Sequence, residues 1–258
     1  MIKVLVTGAS GQLGKAIRVL AGEYPEVSFH FADRTELDIT DKGSVNTLFS
    51  GSSFDYCINC AAYTDVEQAE KTPQIAFEVN ERGVANLAEA CKANNVVLIH
   101  ISTDYVFDGR KQEGYLPSDT PKPINQYGMS KWEGEKRVQD ILSEYFIIRT
   151  SWLYSASGTN FYTKILKKAR EEGKISVTDK EVGCPTHADN LGRHILEIIS
   201  QKKKTFGIHH FTDGEAMTWY DFAKRIVEEQ GLSLKALVVK AENYRTFAIR
   251  PKFSVLKP

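Results

Sequence analysis

The chain has 258 residues, 42% of them hydrophobic, with 33 basic and 33 acidic side chains and a formal net charge of zero. That is enough apolar material for one large domain with a small appended lobe, and the even charge argues against an electrostatic binder of nucleic acid or membrane surface. No apolar run approaches the ~20 residues of a membrane span, and a glycine turn beginning at position 8 leaves no room for a signal peptide, so a cytoplasmic protein is expected.

Residues 2–7, Ile-Lys-Val-Leu-Val-Thr, read as a strand, and a helical pattern begins near residue 12. Between them stand Gly8, Gly11 and Gly14, with Gln12 and Leu13 at the helix start. Such a strand, glycine turn and helix let the backbone approach a pyrophosphate, while the free N–H groups of the helix supply the positive end. The spacing is G-x-x-G-x-x-G rather than G-x-G-x-x-G, and a tight turn that binds no nucleotide is the alternative reading. A second strand at 27–32 leads to Asp33, 19 residues beyond Gly14, with Arg34 beside it. Asp33 suits a ribose 2′-hydroxyl and Arg34 a 2′-phosphate, so the pair leaves NAD(H) and NADP(H) open, with surface loop charges as the plainer reading.

A helix at 41–50 and a strand at 55–60 follow. Cys57 and Cys60 share that strand with redox-motif spacing, but side chains three apart point to opposite faces, so these are expected to be structural thiols. With Cys91 and Cys184 they fit a reducing compartment. Helices at 73–93, 126–141, 160–172, 188–201 and 217–230 then alternate with strands at 96–102, 145–150, 174–178 and 207–212. Thr72 and Pro73 suit an N-cap and first turn. The alternation implies βαβ units, an α/β fold with a doubly wound parallel sheet. His209 and His210 fall in a strand and form no cluster of metal-ligand spacing.

The helix at 126–141 carries Tyr127 and Lys131, whose spacing stacks both side chains on one face. An ammonium there favours the phenolate, and a hydroxyl from Ser102 or Thr103 at the preceding strand end could hold a carbonyl oxygen against the phenol. This pair and the glycine turn together resemble the extended, nucleotide-sugar-modifying branch of the short-chain dehydrogenase/reductases. The segments Asn59-Cys60-Ala61-Ala62-Tyr63-Thr64-Asp65, Ser102-Thr103-Asp104-Tyr105-Val106-Phe107-Asp108-Gly109 and Pro123-Ile124-Asn125-Gln126-Tyr127-Gly128-Met129-Ser130-Lys131 look like those of the dTDP-4-dehydrorhamnose reductases. So do Arg149-Thr150-Ser151-Trp152-Leu153-Tyr154, Gly183-Cys184-Pro185-Thr186 and Arg250-Pro251-Lys252-Phe253-Ser254. They occur in the family's order along the whole chain.

The resemblance implies a Rossmann-type dinucleotide-binding domain over residues 1–150 and a mainly substrate-binding lobe over 151–258, with segments near 174–179 and 207–212 returning to the sheet. It implies reduction of the C4 keto group of dTDP-4-dehydro-L-rhamnose to dTDP-L-rhamnose, a cell-surface polysaccharide precursor. Tyr127 would donate the proton, Thr103 hydrogen-bond the reacting oxygen, and Lys131 tune Tyr127 and hold the nicotinamide ribose. NADP(H) is favoured through Arg34 and because biosynthetic reductases draw on that pool. Asp38 and Ile39 would flank the adenine, and Ala61, Ala62 and Tyr63 the cofactor's inner edge. Trp152 would pack on the sugar, with Thr64, Val66, Asp104, Asn160, Thr186 and Arg250 as further candidates for sugar, phosphate or base.

Other nucleotide-sugar 4-ketoreductases, an epimerase, or a non-catalytic regulatory subunit of the same fold are the alternatives. Related dehydratases place an acid after the Thr-Asp pair, where this chain has Tyr105. Some members dimerise through a magnesium ion held partly by carboxylates of the first helix, where Lys15 and Ala16 stand here, so no metal is expected and both monomer and homodimer stay open. Dialysis against EDTA should leave turnover and apparent mass unchanged, and activity restored only by added magnesium would contradict this.

Overall fold

In the computed structural model, which describes residues 1–243 and 245–258, the first apolar run forms β1 (Ile2–Thr7) and passes through the glycine turn into α1 (Gln12–Leu20) and β2 (Val27–Ala32). Next come α2 (Lys42–Ser50), β3 (Tyr56–Asn59), α3 (Val66–Lys71), α4 (Pro73–Phe77), α5 (Val84–Asn94), β4 (Val97–Thr103), α6 (Gln126–Ile141) and β5 (Tyr145–Thr150). The remainder holds β6 (Leu153–Tyr154), α7 (Phe161–Glu171), β7 (Lys174–Val177), β8 (Val182–Gly183), β9 (Thr186–His187), α8 (Ala188–Ser200), β10 (Gly207–His210), β11 (Met217–Thr218), α9 (Trp219–Glu229) and β12 (Leu237–Lys240).

Six strands pair in parallel in the order β10-β5-β4-β3-β1-β2. The inner strands β5, β4, β3 and β1 are largely buried on both faces, which explains their mainly apolar runs. Leu5, Cys57, Leu98 and Ile147 pack under α2, α5 and α6, while Val4, Ile58, Ile99 and Ile148 meet α1 and α8 on the other face. Burying each such aliphatic side chain contributes roughly 1.5–3 kcal/mol. Cys57 lies in the first cluster and Cys60 packs against the second, the opposite-face arrangement that strand geometry predicts.

From β1 the chain winds outward to β2 and then crosses to β3 on β1's other side. Reversal of winding opens a crevice beyond the carboxyl ends of β1 and β3, where ligands bind in open α/β sheets.

The structure corrects the expected return of residues 174–179 to this sheet. β7 instead pairs with β12 in a two-stranded sheet of its own. Its burial alternates, with Ile175 and Val177 inside and Lys174 and Ser176 outside, which suits a one-sided sheet and not a central parallel strand. The expected strand at 207–212 does join β5, though it ends at His210, and α8 accompanies it onto the sheet. The small lobe is built from α7, β7, α9 and β12 around Ile165, Ile175, Phe222 and Ile226. The helical stretch expected at 73–93 forms as α4 and α5 joined by one wide turn, Glu78–Gly83.

Two tethers fix what surrounds the crevice. Arg149 of β5 donates from Nε and Nη2 to the two carboxylate oxygens of Glu135 on α6, at 2.9 and 2.7 Å, with both side chains fully buried. The bidentate pair locks α6 against β5. At the other end, the C-terminal tail threads between two segments: Ser254 N donates to Val182 O and Tyr115 N to Val255 O, each at 2.8 Å.

Candidate active site

The crevice begins at the glycine turn. Gly8 has φ +62°, and a Cβ there would stand 2.6 Å from Ala61 N, so only glycine lets the end of β1 close against the segment after β3. Gly11 caps α1 without any side-chain hydrogen bond, and Gly14 is buried at the base of the turn. The helix start therefore offers backbone N–H groups rather than a side chain.

Beyond the turn lies a cavity of about 230 Å³ lined by Gly8, Gly11, Arg34, Asp38, Ile39, Ala61, Ala62 and Tyr63. Asp33 spends one carboxylate oxygen on Thr35 N, Thr35 Oγ1 and Glu36 N, at 2.8, 2.7 and 3.2 Å, which organises the turn after β2. The side chain of Arg34 is 81% exposed and reaches Asp38 Oδ2 from Nε at 3.3 Å. Asp38 also accepts from Thr40 N and Thr40 Oγ1, so its carboxylate is already engaged in the loop.

Gly11, Cys60 and Ala62 are shared with a second cavity of about 460 Å³, which makes one continuous groove. Gln12, Leu13, Thr64, Thr103, Asp104, Tyr127, Lys131 and Trp152 also line this second cavity. Asn125 caps α6, accepting from Gly128 N at 2.7 Å. A Cβ on Gly128 would lie 2.1 Å from Tyr105 O, so the glycine lets the helix start press against the loop that follows β4. This places the Tyr127 phenol beside Thr103 on the wall of the same cavity.

Burial pushes the Tyr127 phenol up to about 12, against the lowering effect of the nearby Thr103 hydroxyl. The expected ammonium-stabilised phenolate is thereby corrected. Lys131, on the same helix face, turns Nζ to Ile101 O at 2.6 Å, and burial brings its own pKa down to about 8 against the pull of Glu135. The result is a phenol that holds its proton at neutral pH beside a cation still mostly charged.

Trp152 has φ +48° and stacks on Trp219 with centroids 3.5 Å apart and planes 7° from parallel. The two indoles separate the groove from a third cavity of about 460 Å³, lined by Asn160, Phe161, Lys164, Lys168, Trp219, Arg250 and others. Arg250 donates from Nη2 to Glu67 Oε1 at 2.8 Å, and Glu67 also accepts from Phe247 N and Ala248 N. Asn160 lines the third cavity, but its Nδ2 bonds Gln12 Oε1, Ser155 O and Ser157 O, tying the lobe to the glycine turn. Thr186 does not reach these cavities: it is fully buried with Oγ1 bonded to Thr150 Oγ1 at 3.2 Å. Val66 opens α3 and lines none of the three cavities.

Four residues of the site were absent from the sequence reading. Asn80, in the wide turn before α5, grips both the N–H and the C=O of Tyr63 at 2.9 Å and also bonds Ser130 of α6. Glu67 holds the 247–250 loop, Trp219 backs Trp152, and Glu135 faces Lys131 one helical turn on. Only the last was signalled, by a carboxylate four residues after the lysine.

Comparison with known proteins accords with this geometry. Residues 2–258 match the family described as RmlD substrate binding domain. A dTDP-4-dehydrorhamnose reductase of Aggregatibacter actinomycetemcomitans is 36% identical over 99% of this chain and 90% of its own length. A dTDP-4-keto-6-deoxy-D-glucose reductase of Streptomyces niveus is 34% identical over 98% of this chain and 87% of its own. The crystal structure of a dTDP-4-dehydrorhamnose reductase from Bacillus anthracis in complex with NADP superposes with a TM-score of 0.95 at 37% identity, covering 100% of this chain and 91% of that one. With a six-stranded parallel sheet, a glycine turn at its crevice and a full-length match, the chain belongs to the RmlD substrate binding domain family.

Proposed function

We propose that the protein is an NADPH-dependent reductase that converts the C4 keto group of dTDP-4-dehydro-L-rhamnose to the alcohol of dTDP-L-rhamnose. The observation that carries this reading is the convergence of Thr103, Tyr127 and Lys131 on one groove that runs back to the glycine turn. The groove suits a dinucleotide: unencumbered helix-start amides for the pyrophosphate, Arg34 and Ile39 at the adenosine end, and Lys131 at the other. When bound, the nicotinamide supplies a hydride to the carbonyl carbon. Tyr127 gives its proton to the oxygen, Thr103 fixes that oxygen by a hydrogen bond, and Lys131 holds positive charge beside the ribose.

The third cavity, with Trp219 and Phe161 as apolar walls and Lys164, Lys168 and Arg250 as cations, supports a place for the nucleotide diphosphate of the substrate. On this reading residues 1–150 bind the dinucleotide and the lobe formed after them takes the nucleotide sugar. The four thiols, all unpaired among the described residues, support a reducing, cytoplasmic setting. No helix among the described residues is long and apolar enough to cross a membrane.

Purified protein with NADPH and the 4-keto nucleotide sugar should lose 340 nm absorbance (nicotinamide band) in proportion to alcohol formed, whereas binding without turnover would leave a regulatory protein of the same fold. Cofactor choice has its own test. Asp33 is occupied by its turn, which favours Arg34 as the group that meets a 2′-phosphate. Arg34→Ala should weaken NADPH by about 10-fold with little change for NADH, because only NADPH carries that phosphate. Equal effects on kcat/KM with the two cofactors would rule the assignment out.

A further inference from the structure

The C-terminal tail reaches the proposed reaction site through one buried chain of hydroxyls. Ser254 Oγ donates to Asp104 Oδ2 at 2.5 Å, Asp104 Oδ1 lies 3.1 Å from Thr103 Oγ1, and Thr103 lines the same cavity as Tyr127. Asp104 and Ser254 are each 2% exposed. The tail cannot drift, because its backbone is bonded to Val182 on one side and to Tyr115 on the other.

Thr103 Oγ1 has one proton to give and already receives Tyr105 N–H at 3.1 Å. If Asp104 is a carboxylate, it takes that proton and Thr103 has none for a substrate oxygen. If Asp104 is an acid protonated on Oδ1, it donates to Thr103, whose own proton is then free. Although a donor on Oδ2 favours the carboxylate over the acid, once the acid has formed it leaves Oδ1 as the oxygen that carries the proton, the one that faces Thr103. We propose that Ser254, acting through Asp104, is a positioning residue that directs the Thr103 hydroxyl proton toward the substrate carbonyl. This rests on the reading of Thr103 given above.

The surroundings agree. The titratable groups facing Asp104 are Tyr127 from α6, the neighbouring Tyr105 and Cys184 from the turn before β9. Arg250 and Glu181 stand behind Tyr105 with opposite charges. Burial raises the Asp104 carboxyl to about 7, with the Ser254 and Thr103 hydrogen bonds opposing the rise. Loss of the Ser254 donor therefore moves the titration further up, since it removes a bond that favours the carboxylate.

Two measurements test the proposal. In the pH profile of kcat, wild type should show a partial fall near neutrality as Asp104 ionises. Ser254→Ala should displace that fall to higher pH and lower kcat below it by about 3- to 10-fold, the range of one hydrogen bond, with KM nearly kept. Ser254→Thr, which keeps the hydroxyl, should restore both, and Asp104→Asn should abolish the fall. The second measurement needs no turnover: carboxyl 13C NMR of aspartate-labelled protein, with the Asp104 signal assigned by Asp104→Asn. An Asp104 titration raised in Ser254→Ala supports the proposal. One complete below pH 5 in wild type, or unmoved by Ser254→Ala, overturns it. Absence of turnover in wild type would instead overturn the proposed function, and the carboxyl titration would still judge the tail.

Discussion

Tyr127→Phe is expected to lower kcat by about 10² or more with NADPH affinity nearly unchanged, the loss typical of a positioned proton donor. A donor must hold its proton until hydride arrives, and a buried phenol near pKa 12 does so at any physiological pH. Phenylalanine keeps the ring, and with it the edge-to-face packing on Tyr105, whose centroid lies 5.8 Å away at 73°. The groove should therefore stay open to cofactor and sugar while the proton is missing. Fluorescence titration with NADPH beside single-turnover kinetics separates the two effects. Turnover like that of wild type would remove Tyr127 from the chemistry.

Lys131→Met is expected to cost about 10² in kcat as well, because it deletes a buried cation at the reacting end of the groove. The same loss should appear in wild type on raising the pH. Burial favours the neutral amine, so Lys131 gives up its proton near pH 8, well before an ordinary lysine at 10.5. Activity should fall through that pH and not recover above it, while Lys131→Met shows no such limb. A wild-type profile flat to pH 10 would contradict the role given to the ammonium.

The strands at 2–7, 27–32 and 145–150 were legible to the residue, each as a short run dominated by β-branched, aliphatic and aromatic side chains. The gathering of Thr103, Tyr127 and Lys131 was legible too, because a strand end and the first turn of a helix are both local structures. What escaped the sequence depends on long-range pairing. The partner of β7 is β12, about 60 residues later, and neither segment alone says which sheet it joins. The phenol's raised pKa was missed because helical spacing shows Lys131 beside Tyr127 but not that its Nζ turns to Ile101 O. Asn160, sensibly a polar ligand by sequence, is consumed in capping α7 and joining Gln12, an assignment visible only once the lobe is in place. The Ser254 contact with Asp104 spans 150 positions and has no local signature.

The central claim is that hydride reaches C4 of a keto sugar while Tyr127 supplies the proton. The measurement that meets it most directly uses NADPH deuterated at nicotinamide C4, on the transferred face, with dTDP-4-dehydro-L-rhamnose, and locates the label in the product by NMR. The account predicts one deuterium at C4 of dTDP-L-rhamnose, from wild type and, at a rate about 10²-fold lower, from Tyr127→Phe. Deuterium at another carbon, or product formed with no label, would contradict it.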